Sequence, residues 1–229
     1  MPVILSIETA VSVCSVAVHK DGSLQGLIEL HQANVHGQKL VPLIKDLLTQ
    51  LGIKGQELDA VAVSKGPGSY TGLRIGVSTA KGLAFAHGLP LIGVDTLDAL
   101  ARNVKEILHA GEFVVPMMDA RRMEVYCKVY DSDLKIVSPL SAHILSGDSF
   151  SDFLEGGRVY FLGNANPKTS ALIVHPNACF LDLVNTASSV GEIAAGKFEK
   201  GEFEDLAYFE PNYLKDFMVI KSKKNPLLS

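Results

Sequence analysis

Lys65-Gly66-Pro67-Gly68-Ser69-Tyr70-Thr71-Gly72-Leu73-Arg74-Ile75-Gly76 is the stretch on which the reading of this chain turns. It follows Leu58-Asp59-Ala60-Val61-Ala62-Val63, an apolar run that predicts a short buried strand, and it leads into a helix predicted from Leu73 to His87. A glycine-rich link between strand and helix has two physical uses. Its amides can approach an anion at the helix N-terminus, or its missing side chains can let two pieces of chain pack closely. The run lacks the G-x-x-x-x-G-K-[ST] order of a phosphate loop and the G-x-G-x-x-G spacing of a dinucleotide fold. Gly72, Gly76, Ala80 and Ala84 recur every fourth residue and give the helix one smooth face. Packing, within the fold or against a partner, is therefore favoured over chemistry.

Upstream, Val3 to Ile7 and Val13 to Val18 read as strands. Asp21-Gly22 supplies a tight hairpin turn into a third strand from Ser23 to about Leu30. Leu40, Leu43, Ile44, Leu47, Leu48 and Leu51 then mark an amphipathic helix that stops at Gly52. Pro42 is easiest to place in its first turn, although a longer helix from near His36 is open. Downstream, Leu91 to Val94 predicts a strand, and Asp95 or Thr96 caps a helix ending near Gly111.

The opening pattern then recurs. Phe113 to Met118 ends at Asp119, Met123 to Tyr130 follows, and Lys135-Ile136-Val137 comes after a polar turn. Two related lobes are expected, 1–110 and 111–229, with the C-terminal segment free to pack back on the first. Later elements are a helix from Asp148 to Leu154, a strand at Val159 to Leu162 and a helix from Ser189 to Phe198. Lys215, Lys221, Lys223 and Lys224 make the end of the chain basic and suggest a mobile tail.

Composition narrows the function classes. The chain has 229 residues, of which 47% are hydrophobic, and its formal charge of −4 argues against broad adhesion to nucleic acid. Cys14, Cys127 and Cys179 are too few to frame a disulfide scaffold, and no apolar run approaches the ~18 residues of a membrane span. A cytoplasmic protein with no membrane contact is the expectation.

Candidate chemistry is sparse. Glu8 and Asp119 end the equivalent first strands of the two halves, and paired carboxylates facing a cleft would suit Mg²⁺ or acid–base work. A structural role, accepting hydrogen bonds from loop amides, is favoured. Arg121 and Arg122 would pair with these acids or bind an anion, with surface ion pairing the default. His31 and His36 have no further ligand at metal spacing and read as two solvated histidines, so no metal is expected. No G-x-S-x-G elbow is present, and Ser69 has no identified base.

Ile4-Leu5-Ser6-Ile7-Glu8-Thr9-Ala10, the run from Gly66 to Gly76, Gly93-Val94-Asp95-Thr96-Leu97 and Asp119-Ala120-Arg121 together resemble the TsaB (YeaZ) family. The last seventy residues match it only in length and in Pro211-Asn212-Tyr213-Leu214. The resemblance implies an α/β, two-lobed actin-like and Hsp70-like ATPase (ASKHA) fold, each lobe RNase H-like with a mixed sheet. It implies a catalytically degenerate scaffold that binds TsaD, the paralogue that carries the transferase chemistry in forming N6-threonylcarbamoyladenosine on tRNA. TsaE supplies an ATPase to that complex, the scaffold pairs with itself when alone, and tRNA is met only indirectly.

On this reading the partner surface comprises Leu40, Leu43 and Leu47 of the first helix with Gly72, Gly76, Ala80 and Leu83 of the second. Glu8, Thr9, Gly66, Gly68, Ser69, Asp119 and Arg121 form a candidate vestigial nucleotide or anion site. No cofactor is expected on the chain alone, and a nucleotide only in the partner complex. The alternative is a small ATPase or sugar-kinase-like enzyme using Glu8, Gly68 and Asp119. The metallopeptidase label attached to the superfamily finds no ligand set in this sequence.

Overall fold

Two five-stranded sheets stand side by side in this computed structural model, which describes residues 2–214. The first contains β1 (Val3–Glu8), β2 (Cys14–Lys20), β3 (Ser23–Leu30), β4 (Ala60–Ser64) and β5 (Leu91–Val94), in the order β3-β2-β1-β4-β5. The second contains β6 (Phe113–Asp119), β7 (Glu124–Asp131), β8 (Ile136–Ile144), β9 (Val159–Leu162) and β10 (Ala178–Leu181). Its order, β10-β9-β6-β7-β8, is the first order repeated. In each sheet the opening three strands are antiparallel and the other two join in parallel. The mixed sheet demands crossover helices where strands run parallel, and hairpins where they do not.

The helices repeat as well. α1 (His36–Leu51), α2 (Tyr70–His87) and α3 (Thr96–Arg102) follow β3, β4 and β5. α4 (Ser151–Gly156), α5 (Asn166–Ser170) and α6 (Ala187–Glu199) follow β8, β9 and β10. The duplication therefore extends through the whole unit, beyond the three opening strands that the sequence makes plain. In the second lobe the crossover helices have shrunk to single turns, which is why α5 and β10 leave no periodic signal. β8 is also far longer than the three residues its apolar run suggests.

Several boundaries move for identifiable reasons. α1 begins at His36, not Leu40, and Pro42 lies inside it, on the exposed side where the carbonyl it leaves unpaired can meet water. His36 is buried, with Nε2 3.3 Å from the Val13 carbonyl, so the solvated histidine expected there is corrected; His31 is exposed beside Glu29. α2 begins at Tyr70, because the Ser69 hydroxyl accepts from the Gly72 amide and caps it three residues before Leu73. The helix capped by Asp95 ends at Arg102, and only a turn of 3-10 helix, Lys105–Ile107, follows before β6. Asp21 and Gly22 both take positive φ, at 54° and 73°, as the hairpin turn requires.

The two sheets divide near Gly111, but the chain does not stay on its own side. α6 returns to the first lobe, where Val190 and Ala194 pack on Ile4, Ala60, Ala62, Ile92 and Val94. α3 leans the other way onto β6 and β7, with Leu100, Ala101 and, just past its end, Val104 against Val114, Tyr130 and Leu162. Each lobe's last helix thus beds in the other lobe. Beyond α6, residues 204–213 run as a strap over β5 and α2. Glu204 bridges to Leu91, Lys81 donates to the Ala207 and Phe209 carbonyls, and Phe209 is buried in the first lobe's core. Among the described residues no helix is long and apolar enough to cross a membrane. The lysines expected to form a basic tail, Lys215, Lys221, Lys223 and Lys224, lie outside the described residues.

Candidate functional site

The loop from Lys65 to Ser69 crosses the turn between β1 and β2, and backbone groups and two threonine hydroxyls hold the crossing. The Ser69 amide donates to the Ala10 carbonyl at 2.7 Å, the Gly66 amide to the Thr96 hydroxyl at 3.1 Å and the Thr9 hydroxyl to the Gly72 carbonyl at 2.9 Å. A Cβ on Gly68 would lie 2.6 Å from the Ala10 carbonyl oxygen. One on Gly72 or Gly76 would overlap the Thr9 carbonyl or the Thr9 hydroxyl outright. The glycines are required because the N-terminal half of α2 rests directly on Thr9 and Ala10. The Gly66, Ser69 and Gly72 amides, which a phosphate cradle would turn outward, are used within the chain.

Glu8 sits beside this crossing and is fully buried. Its Oε1 accepts from the Ala10 amide at 2.5 Å and from the Ser64 hydroxyl at 2.9 Å, while Oε2 meets no hydrogen-bond donor among the described residues. Burial pushes the carboxyl up to about 7, against the lowering effect of the Ala10, Ser64 and Thr9 hydrogen bonds. A carboxyl that keeps its proton near neutrality is a poor ligand for Mg²⁺, which binds the charged form.

Asp119 is placed differently. It is exposed at the end of β6, where its Oδ1 accepts from Lys168 Nζ and from the Arg121 amide, both at 2.7 Å. Partial burial works to raise its pKa, but Lys168 and Arg121 outweigh it and hold the carboxyl below its usual range. Lys168, which sequence reading did not single out, takes the ion-pairing role expected of Arg121 and Arg122. It reaches across from α5 to Asp119 and to the Arg122 and Glu124 carbonyls. Glu8, Thr9, Gly66, Gly68 and Ser69 are thus gathered at one crossing, while Asp119 and Arg121 are held by their own lobe. A cavity of about 300 Å³ lies instead against β7 and β8. Its walls include Cys127, Ser141, His143 and Ser149, and none of the predicted site residues lines it.

The expected partner surface is corrected by burial. Leu40, Leu43 and Leu47 face the first lobe's core, Gly72, Gly76 and Ala80 are buried, and half-buried Leu83 packs against the same core. An amphipathic stripe must bury its apolar face somewhere, and here the lobe's own sheet takes it. What α1 and α2 show to solvent is the opposite side. Val41 and Phe85 are exposed, at 60% and 81%, and a Cβ on Gly82 would meet nothing within 4 Å among the described residues.

A charged cluster between the lobes was not legible in the sequence. Lys128 of β7 is buried, with Nζ 2.8 Å from Asp95 Oδ2 and 2.6 Å from Asp98 Oδ1, and the Tyr130 hydroxyl donates to Asp98. Asp95 also caps α3, accepting from the Leu97 and Asp98 amides. Burial would lower the Lys128 pKa, but the two carboxylates outweigh it and raise it. Among the described residues no group of three or more His, Cys, Asp or Glu side chains is arranged to hold a metal ion.

These features can be set beside known proteins. The family described as "TsaD: tRNA N6-adenosine threonylcarbamoyltransferase" matches residues 23–219. The "tRNA threonylcarbamoyladenosine biosynthesis protein TsaB" of Escherichia coli is 30% identical over 228 residues, covering 95% of this chain and 96% of that one. The protein of the same description from Haemophilus influenzae is 40% identical over 123 residues, 54% and 51% of the two chains. Among solved structures, "YeaZ from Pseudomonas aeruginosa" superposes with a TM-score of 0.81 at 25% identity, over 93% of this chain and 100% of that one. An activator of 2-hydroxyisocaproyl-CoA dehydratase from Clostridium difficile shares the two-lobed fold at a TM-score of 0.51 and 8% identity, over 87% of this chain and 96% of that one. With a near full-length relative, a matching family and a superposable fold, this chain belongs to the TsaB family.

Proposed function

We propose that this chain is a non-catalytic subunit in the formation of N6-threonylcarbamoyladenosine on tRNA, and that it acts by binding a TsaD-type transferase. The observation that carries the reading is the closed crossing of Gly66–Gly76 on Thr9 and Ala10, where loop amides bond to the chain itself. A buried Glu8 whose carboxyl is pushed up to about 7 and an Asp119 engaged by Lys168 add to it, since neither stands as a free carboxylate for a metal–nucleotide complex. The names of the relatives supply the pathway.

The partner face on this reading is the exposed side of α1 and α2, with Val41 and Phe85 as apolar anchors and Gly82 as the point of closest approach. The same face serves a second copy of the chain when the transferase is absent. A TsaE-type ATPase joins the complex, any nucleotide is held there rather than by this chain alone, and tRNA is met through the partner in the cytoplasm.

Titration calorimetry of the isolated chain with ATP and Mg²⁺, and separately with the transferase, tests the assignment. Heat is expected from the transferase alone. A stoichiometric ATP signal from the isolated chain, abolished in Asp119→Ala, would favour the ATPase reading instead.

A further inference from the structure

We propose that Lys128 with Asp95, Asp98 and Tyr130 is an interlobe lock that fixes the angle between the two lobes without a nucleotide. Lys128 and Tyr130 belong to β7 of the second lobe, whereas Asp95 and Asp98 belong to the end of β5 and the start of α3 in the first. One ammonium meets two carboxylates at 2.8 and 2.6 Å, and the Tyr130 hydroxyl adds a donor to the same Asp98 oxygen. Lys128 retains only 7% exposure, so its ammonium is shielded from water, while the Asp98 side chain is 39% exposed.

Apolar packing also joins the lobes here, through Val11, Val13, Leu97 and Met118. Such contacts are non-directional and tolerate sliding. A buried ammonium shared by two carboxylates does not, because an ångström of displacement leaves a charge unpaired in a low-dielectric setting. The cluster is therefore suited to setting geometry, while the apolar contacts supply most of the cohesion. Asp95 strengthens the argument, since one carboxylate both caps α3 and holds Lys128, so helix position and lobe position are fixed together. In a two-lobed fold whose loop crossing is closed, this makes the chain a body of one shape. The inference concerns lobe geometry and is independent of which partner binds.

The test uses the full chain on a Cys179→Ser background, spin-labelled at exposed Lys20 and Asp148, one in each lobe. The interlobe distance distribution is measured alone and with ATP and Mg²⁺. A narrow distribution, unmoved by ATP, is expected. The variant combining Asp95→Ser, Asp98→Ala, Lys128→Met and Tyr130→Phe removes the charges and the Tyr130 hydroxyl that donates to Asp98 together. It should broaden the distribution and speed amide exchange in 97–101 and 125–130 by about tenfold, with β1 and β4 unchanged. If it does not fold, Tyr130→Phe, which deletes one hydrogen bond, should broaden the distribution less. An ATP-dependent shift in the parent, an unchanged distribution in the variants, or a uniform rise in exchange across both lobes would each overturn the proposal.

Discussion

Thr9 and Gly76 touch where α2 crosses the end of β1: the Thr9 hydroxyl, which donates to the Gly72 carbonyl at 2.9 Å, occupies the space a Gly76 side chain would need. Gly76→Ala should therefore overpack the monomer and lower its stability by about 1–3 kcal/mol. Chemical unfolding with and without Thr9→Ala checks the cause. Removing the hydroxyl should relieve part of the loss, and additive effects of the two changes would contradict the contact.

Glu8 makes the stability depend on pH in an unusual direction. Its ordinary pKa is 4.5 and burial raises it to about 7, so the folded state favours the neutral form. The favourable contribution is fully present below pH 4.5 and is lost as pH rises through about 7. Glu8→Gln, which is always neutral, should gain on the parent above pH 7, by at most roughly 3 kcal/mol, and match it near pH 4.5. Urea unfolding from pH 4.5 to 8.5 measures this, and a flat difference between the two proteins would refute it.

On the proposed interface, Gly82 and Phe85 should separate partner binding from folding. Gly82→Leu adds a side chain to open space in the middle of an exposed helix, where replacing glycine stabilises by about 0.5–1 kcal/mol. The variant should melt no lower than the parent yet bind the transferase at least about tenfold more weakly, as should Phe85→Ala. Calorimetry on both variants decides it, and undiminished affinity would remove α2 from the interface.

The strap's anchoring predicts the effect of losing it. Phe209 is buried beside Leu91 at the open edge of the first sheet, and Lys81 grips the carbonyls on either side of Tyr208. Phe209→Ala should cost about 3–5 kcal/mol. Truncation after Gly201 should expose the β5 edge and promote self-association visible by light scattering.

How far the sequence could be read depended on whether a signal was local. Asp21-Gly22, the strands ending at Glu8 and Asp119, and the glycine loop all act through neighbouring residues, and each appears where its pattern places it. The four-residue repeat of Gly72, Gly76 and Ala80 also reported close approach correctly, but periodicity does not say which surface approaches. The surface is Thr9, some sixty residues away. α5 and β10 are too short for periodicity, and Lys128 meets Asp95 and Asp98 only after the two lobes have formed.

The central claim is that this chain enables a transferase without doing chemistry itself. The most direct measurement is the rate at which purified transferase, TsaE-type ATPase and threonylcarbamoyl donor form N6-threonylcarbamoyladenosine on tRNA, with and without this chain. Formation should require the chain, persist in Asp119→Ala and fail in Gly82→Leu. Loss of the product in Asp119→Ala with the complex still assembled would contradict that claim.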